Sequence, residues 1–219
     1  MVVVFDTCGP VIGVAAATAG AVAVRTERIA RGAERRLVPW ALEVCAELGG
    51  TFDDVVGVGA AHGPGAFTGL RVGLSAAAGL AFALGVPVWT ADSLLHRRLT
   101  ADSDGRVLVL LDARKSRVYA ALYDGEVLLE GPADVAPGAA GAWSSDPFVA
   151  TGEGAVVYAA VVEAAGGSVA ARATDPGVGQ LARGAWHAIA AGAGGAPESV
   201  SPVYIRAPDA KPPRRGRIR

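Results

Sequence analysis

The sequence predicts an α/β protein of two lobes with a related plan, the second reduced. Three observations carry this: strand patterns open the chain, they restart after residue 105, and long helical patterns lie between. With 219 residues, 52% of them hydrophobic, the chain suffices for one large domain or two small ones sharing a core. A charged fraction of 19% and a mean hydropathy of +0.37 exclude a disordered polymer. Twenty Lys and Arg against 21 Asp and Glu leave a net charge of −1, which excludes a protein that grips nucleic acid with its whole surface. The two cysteines, Cys8 and Cys45, lack CxxC spacing and are too few for a disulfide framework, so a reducing compartment is expected.

Apolar runs at 1–6, 11–17 and 21–26 predict a three-stranded meander, with turns at Cys8-Gly9-Pro10 and Ala19-Gly20. Pro39 fits the first turn of a helix, where a missing N–H costs nothing, and Gly49-Gly50 stops that helix after Leu48. Arg36, Glu43 and Glu47 form one narrow charged stripe on it. The apolar remainder, including Leu37, Trp40, Ala41, Val44 and Leu48, is more than one sheet can cover. Residues 53–60 predict a buried strand, and the Gly63-Pro64-Gly65 loop leads into a helix over 68–84. On that helix Gly69, Gly73, Ala77 and Ala81 recur every four residues, a ridge of small side chains that admits a neighbouring backbone. The spacing leaves open whether the neighbour is the chain's own sheet or a second molecule. Residues 86–90 return as a strand, and Asp92 or Ser93 caps a short helix toward Leu99.

Asp102-Ser103-Asp104-Gly105 marks the boundary, giving lobes at 1–101 and 106–205. Strands are expected at 106–112, 117–123 and 126–130, the last two joined through Asp124-Gly125, with helices over 153–165 and 178–191. Residues 206–219 are expected to be a flexible basic tail: Arg206, Lys211, Arg214, Arg215, Arg217 and Arg219 against Asp209 give +5, leaving the other residues at −6. Pro208, Pro212 and Pro213 bar a regular helix there. An RNA-binding arm and a merely solvated tail both fit this composition. Residues 72–91 are twenty uncharged residues in a row, long enough to cross a bilayer, but Gly85, Pro87 and the Ala and Gly content predict a buried helix followed by a strand. Asp6 interrupts the opening apolar run, and no basic region precedes it, so no signal peptide is expected.

No complete catalytic constellation is found. His62, His96 and His187 lack helical ligand spacing, and neither G-x-S-x-G nor the G-x-x-x-x-G-K-[ST] phosphate loop occurs. Asp6-Thr7, the 63–69 loop and Asp112-Ala113-Arg114 are what remain. An aspartate closing a first strand could meet a metal-bound phosphate, and N–H groups at a helix start could cradle an anion. Equally, Asp6 caps a turn, Thr68 caps a helix, and Asp112 pairs with Arg114 on one face of a strand.

Taken together these segments resemble the TsaB (YeaZ) family. GPGAFTGLRVGLSAAAGLAFALGVPV at 63–88 looks like its G-P-G-S-F-T-G-L-R-[IV]-G signature with Ala66 in the serine position. VVVFDTCGP at 2–10 is similar to its I-D-T-S turn, and LDARKSRVYAALYDG at 111–125 to D-A-R-x-x-x-V-Y. Thr151-Gly152-Glu153-Gly154 and Pro202-Val203-Tyr204-Ile205-Arg206 fit later motifs. Two departures stand out: Ala33-Glu34-Arg35 where the family has H-S-E, and Arg117 where an acid is common.

The resemblance implies the two-lobed actin-like ATPase fold (ASKHA, RNase H-like), with no metal, cofactor or catalytic residues of its own. It implies a cytoplasmic, non-membrane scaffold that binds TsaD and is joined by TsaE in forming threonylcarbamoyladenosine in tRNA. ATP and Mg are then handled by partner subunits, tRNA is met through the complex, and a homodimer forms without TsaD. The family's contact is a bundle of the first two long helices, which correspond to 37–48 and 68–84. Leu37, Trp40, Ala41, Val44, Leu48, Arg71, Leu74 and Ala78 are therefore expected at the partner face. The competing expectation is a nucleotide-dependent phosphotransferase or ATPase using Asp6 and the 63–68 loop; a peptidase has no ligand cluster or activated nucleophile to support it.

Overall fold

A computed structural model describes residues 1–206. The expected tail over 207–219 lies outside the described residues. The meander forms as β1 (Val2–Asp6), β2 (Val11–Ala17) and β3 (Val22–Arg28), paired antiparallel with Val4 opposite Ala15 and Val14 opposite Arg25. Helix α1 (Glu34–Glu47) leads to β4 (Gly57–Gly63), which lies parallel to β1, and α2 (Phe67–Leu84) leads to β5 (Val88–Asp92), parallel to β4. The sheet order is β3-β2-β1-β4-β5.

Alternation along β1 divides its side chains between two cores. Val3 and Phe5 pack with Val14, Leu37, Trp40, Val44, Leu74 and Ala77 under α1 and α2. Val2 and Val4 face the other way, onto Leu181, Ala182 and Ala185 of α7 (Val178–Ala190). Burial on both faces explains why these strands read as continuous apolar runs.

After the short helix α3 (Ser93–Arg98) the plan repeats. β6 (Arg106–Asp112), β7 (Val118–Asp124) and β8 (Val127–Val135) form the second meander; β9 (Phe148–Thr151) joins β6 in parallel and β10 (Gly167–Val169) joins β9. The order β10-β9-β6-β7-β8 is that of the first sheet, with β6 in the place of β1. The reduction lies in the helices: α4 (Pro137–Gly141), α5 (Glu153–Val157) and α6 (Ala159–Ala164) have 5, 5 and 6 residues, against 14 and 18 in α1 and α2.

Several boundaries differ from expectation. α1 begins at Glu34, so Pro39 lies inside the helix, where it withholds the N–H that the Arg35 carbonyl would accept. The helix expected over 153–165 breaks at Tyr158, whose φ of −113° and ψ of 31° are not helical. β9 and β10 have 4 and 3 residues, too few for a period to emerge. The lobe boundary also needs correction: α7 packs on the first sheet, Gly195 bridges Val88, and the Val203 N–H donates to the His62 carbonyl. The first lobe is thus completed by residues that follow the second.

The small-residue ridge of α2 packs on the chain itself. A Cβ at Gly69 would lie 2.1 Å from the Thr7 carbonyl oxygen and one at Gly73 2.4 Å from Thr7 Oγ1, while the Thr7 hydroxyl donates to the Gly69 carbonyl at 2.6 Å. Gly79, on the opposite side, has nothing within 4 Å of such a Cβ. Gly73→Ala should therefore lower unfolding free energy by about 1–3 kcal/mol through overpacking. Gly79→Ala should raise it by roughly 0.5–1 kcal/mol by restricting the unfolded chain. Urea denaturation of both variants checks this; a neutral Gly73→Ala or a destabilised Gly79→Ala contradicts the packing described.

Candidate functional site

The chemistry-bearing groups gather where β1 ends against α3. Asp6 is fully buried, and both its oxygens are occupied. Oδ1 accepts the Cys8 N–H at 2.8 Å; Oδ2 accepts Arg97 Nη1 at 2.7 Å and lies 2.8 Å from His96 Nε2. α3 is built to present these two side chains. Asp92 caps it, accepting from the N–H groups of Leu94 and Leu95, and the Ser93 hydroxyl ties its first turn to the Pro64 carbonyl. Arg97 Nη1 also donates to the Ser93 carbonyl, and the His96 Nδ1 lies 3.0 Å from the Asp92 carbonyl oxygen. Burial pushes the Asp6 carboxyl up, but the Arg97 charge and the hydrogen bonds from His96 and Cys8 outweigh it, leaving it well below the usual carboxylate range.

Across from this pair lies Glu153, 3% exposed, with neither carboxyl oxygen hydrogen-bonded among the described residues. Arg97 Nε and Nη2 are likewise buried without a partner. Burial pushes the Glu153 carboxyl up, and the nearby Arg97 charge pulls it the other way. Cys8, beside Asp6, is a buried free thiol raised by desolvation, and Cys45 is buried and free as well.

Asp6 does not fit the metal of a nucleotide complex. It is fully buried, out of reach of a metal or its water, and its oxygens turn into a guanidinium, an imidazole and a backbone N–H. Nor does Thr68 cap α2: the helix starts at Phe67, and its cap Ala66 offers no side-chain acceptor. Asp112 closes β6 by accepting the Arg114 backbone N–H at 2.9 Å, so the expected side-chain pair is instead a turn contact. Arg114, Lys115 and Ser116 follow it with φ of 59°, 54° and 56°, three successive left-handed residues without a glycine.

A cleft of about 950 Å³ opens between the lobes, walled by the Thr7–Pro10 turn, the start of α2, the Asp112–Arg114 turn and Glu153. Residues 203–206 strap across it. Tyr204 stacks on Phe67 at 5.0 Å between ring centroids and accepts Arg71 Nε at 3.0 Å. Arg206 grips Asp134 through Nε at 2.6 Å and Nη2 at 2.9 Å. Arg117, where the resemblance set an acid, donates to the same Asp134 at 2.6 Å. Arg206, expected in a flexible tail, is thus a fixed link to the second sheet.

The helix face assigned to a partner needs the larger correction. Leu37, Trp40, Ala41, Val44 and Leu74 are buried in the chain's own first core, because α1 and α2 turn their widest apolar stripe to the sheet. Leu48 and Ala78 are half-buried, and Arg71 is exposed but already held by Phe67 and Tyr204. The apolar surface left outside is different: Val38 and Leu42 on α1, about half exposed, and Phe82 on α2, 73% exposed. A groove of about 440 Å³ runs between the helices over Val38, Arg71, Val72, Ser75 and Ala76. Sequence reading missed Arg97 because nothing in spacing pairs residues 91 apart; its one signal was a dibasic pair set among Leu94, Leu95 and Leu99.

A family model described as TsaD: tRNA N6-adenosine threonylcarbamoyltransferase matches residues 21–140. An uncharacterised protein of Mycobacterium tuberculosis is 34% identical over 220 aligned residues, 96% of this chain and 94% of that protein. The tRNA threonylcarbamoyladenosine biosynthesis protein TsaB of Escherichia coli is 30% identical over 125 residues, 56% of this chain and 54% of that protein. The solved structure of YeaZ from Pseudomonas aeruginosa matches with a TM-score of 0.77 at 28% identity, over 93% of this chain and 98% of that one. The two-lobed actin-like architecture implied by the sequence resemblance is the one observed.

Removing one partner of a buried ion pair strands the other. Asp6→Asn should destabilise the protein by about 3–5 kcal/mol at pH 7. Because the folded carboxyl lies below its unfolded value, its contribution is complete above about pH 4 and is lost as pH falls further. The gap between wild type and variant in denaturant titrations should therefore narrow below about pH 4; a gap that is absent at pH 7, or that widens in acid, contradicts the assignment.

Proposed function

The chain belongs to the TsaB (YeaZ) family, and on that premise we propose that it is a non-catalytic subunit of the machinery that forms threonylcarbamoyladenosine in tRNA. It docks on TsaD, TsaE joins the assembly, and a second copy occupies the same face when TsaD is absent. Phe82 is the observation that carries this reading. A phenylalanine 73% exposed on a helix whose neighbour α1 leaves Val38 and Leu42 about half exposed is surface that a partner would bury. Along α2, Arg71, Ser75, Ala78 and Phe82 recur at helical spacing and form one ridge. Val38 and Leu42, one turn apart on α1, form the parallel one.

The occupied Asp6 supports the non-catalytic part of the proposal. A phosphotransferase of this architecture would need that carboxylate free, and here it neutralises Arg97. Metal and nucleotide chemistry accordingly belongs to the partner subunits, in the cytoplasm.

Val38→Glu with Phe82→Glu tests the docking face without touching the core. The double variant should keep wild-type stability, run as a monomer by light scattering, and bind TsaD at least about thirtyfold more weakly, as for loss of a hot-spot contact of about 2 kcal/mol. Wild-type capture of TsaD by the variant removes this face from the account. A wild-type chain that ignores TsaD removes the function.

A further inference from the structure

Three guanidinium groups stand at the mouth of the interlobe cleft, outside the proposed docking face, and the charge of one, Arg28, also reaches the buried Glu153. Arg28 ends β3, Arg31 lies in the loop that follows it, and Arg114 sits in the left-handed turn after β6. All three are exposed, line the same cleft, and form no ion pair among the described residues, whereas Arg25, Arg36, Arg106, Arg117 and Arg206 each hold a carboxylate. They come from both lobes. Holding Arg114 at φ 59° within three left-handed residues costs backbone energy that an incidental surface arginine does not require.

Two exposed carboxylates share the wall: Glu34 at the start of α1, and Asp112, whose Oδ1 accepts the Arg114 N–H and closes the turn. Glu153 is buried, so the exposed side chains of the mouth carry three guanidinium groups against two carboxylates. Beside the arginines, Tyr204 presents an exposed ring backed by Phe67, with Arg71 set 3.8 Å from the Phe67 centroid. Unpaired arginines that track a groove, next to an aromatic platform, are the combination that binds single-stranded nucleic acid through phosphates and a stacked base.

We infer that the mouth of the interlobe cleft binds the sugar–phosphate backbone of a single-stranded RNA segment, with Arg28, Arg31 and Arg114 on phosphates and Tyr204 beneath a base. The choice of RNA over another polyanion rests on the proposed function in tRNA modification. Phosphate is the shared chemistry with a free nucleotide. RNA is favoured because the arginines spread along the mouth from two lobes and the buried strand-end Asp6 is held by Arg97.

The test measures binding of a fluorescent, unmodified tRNA anticodon stem-loop to the full chain, alone and with TsaD, across a salt series. The wild type is compared with Arg28→Gln/Arg31→Gln/Arg114→Gln and with Tyr204→Ala. Each phosphate contact on a single strand contributes about 0.7 to the slope of log affinity against log salt, so the triple variant should flatten it by about 2 and weaken binding more than about tenfold. Tyr204→Ala should weaken binding roughly tenfold and leave the slope unchanged, because stacking displaces no counterions. Unchanged affinity and slope in a triple variant with wild-type circular dichroism overturns the inference, as does RNA binding that is undetectable with and without TsaD. Displacement of the RNA by equimolar Mg-ATP assigns the cleft to free nucleotide and overturns it as well. Capture of TsaD, measured on the same samples, separates this failure from failure of the proposed function: the triple variant should capture TsaD as the wild type does, since none of its three positions lies on the docking face.

Discussion

The ion pair between Asp6 and Arg97 is the constraint on which the rest of the structure depends. It joins the end of the central strand to the helix that links the lobes, with both side chains wholly removed from water. Such a pair contributes little net stability, because desolvating two charges offsets most of their attraction, but neither member can be changed alone. The pair therefore fixes α3 against β1, and α3 in turn supplies Leu94 to the inner core of the second sheet. The strand-end acid Asp6 is thus a structural member.

Long helices with two usable faces follow from the same economy of size. α1 and α2 each turn a wide stripe to the sheet, and the glycines of α2 let it approach Thr7 closely enough for a hydroxyl-to-carbonyl hydrogen bond. What remains outside is a thin set of apolar side chains, Val38, Leu42 and Phe82, of which Val38 lines the groove between the helices. The proposed docking uses that line, so the two helices serve the fold and the assembly with different residues.

Much of the fold was legible because β1, β2, β4, β6 and β7 are buried and read as apolar runs bounded by Gly, Pro and Asp. The first meander, α2, β5 and α3 formed close to their expected positions, whereas β4 begins only at Gly57 because Phe52–Asp54 close a 3-10 turn capped by Thr51. What could not be read was long-range. That α7 returns to the first sheet, that Arg97 reaches Asp6 and that Arg206 grips Asp134 are contacts between residues far apart in the chain, and no local period encodes them. Excess apolar surface on α1 was visible, but one sequence does not say which stripe the sheet takes. The sheet took Leu37, Trp40 and Val44, the stripe with the larger side chains, and left Val38 and Leu42 to solvent. Glu153 stood in a recognisable Thr-Gly-Glu-Gly turn, yet its burial without a hydrogen-bond partner was invisible until the second sheet was assembled.

The central claim is that this chain contributes shape, with the carboxylate that ends its central strand, Asp6, locked in a buried pair. A calorimetric titration of Mg-ATP into the isolated protein, followed by an assay for released phosphate, addresses it most directly. The account expects no saturable heat and no turnover. Tight stoichiometric binding with phosphate release by the chain alone would contradict it.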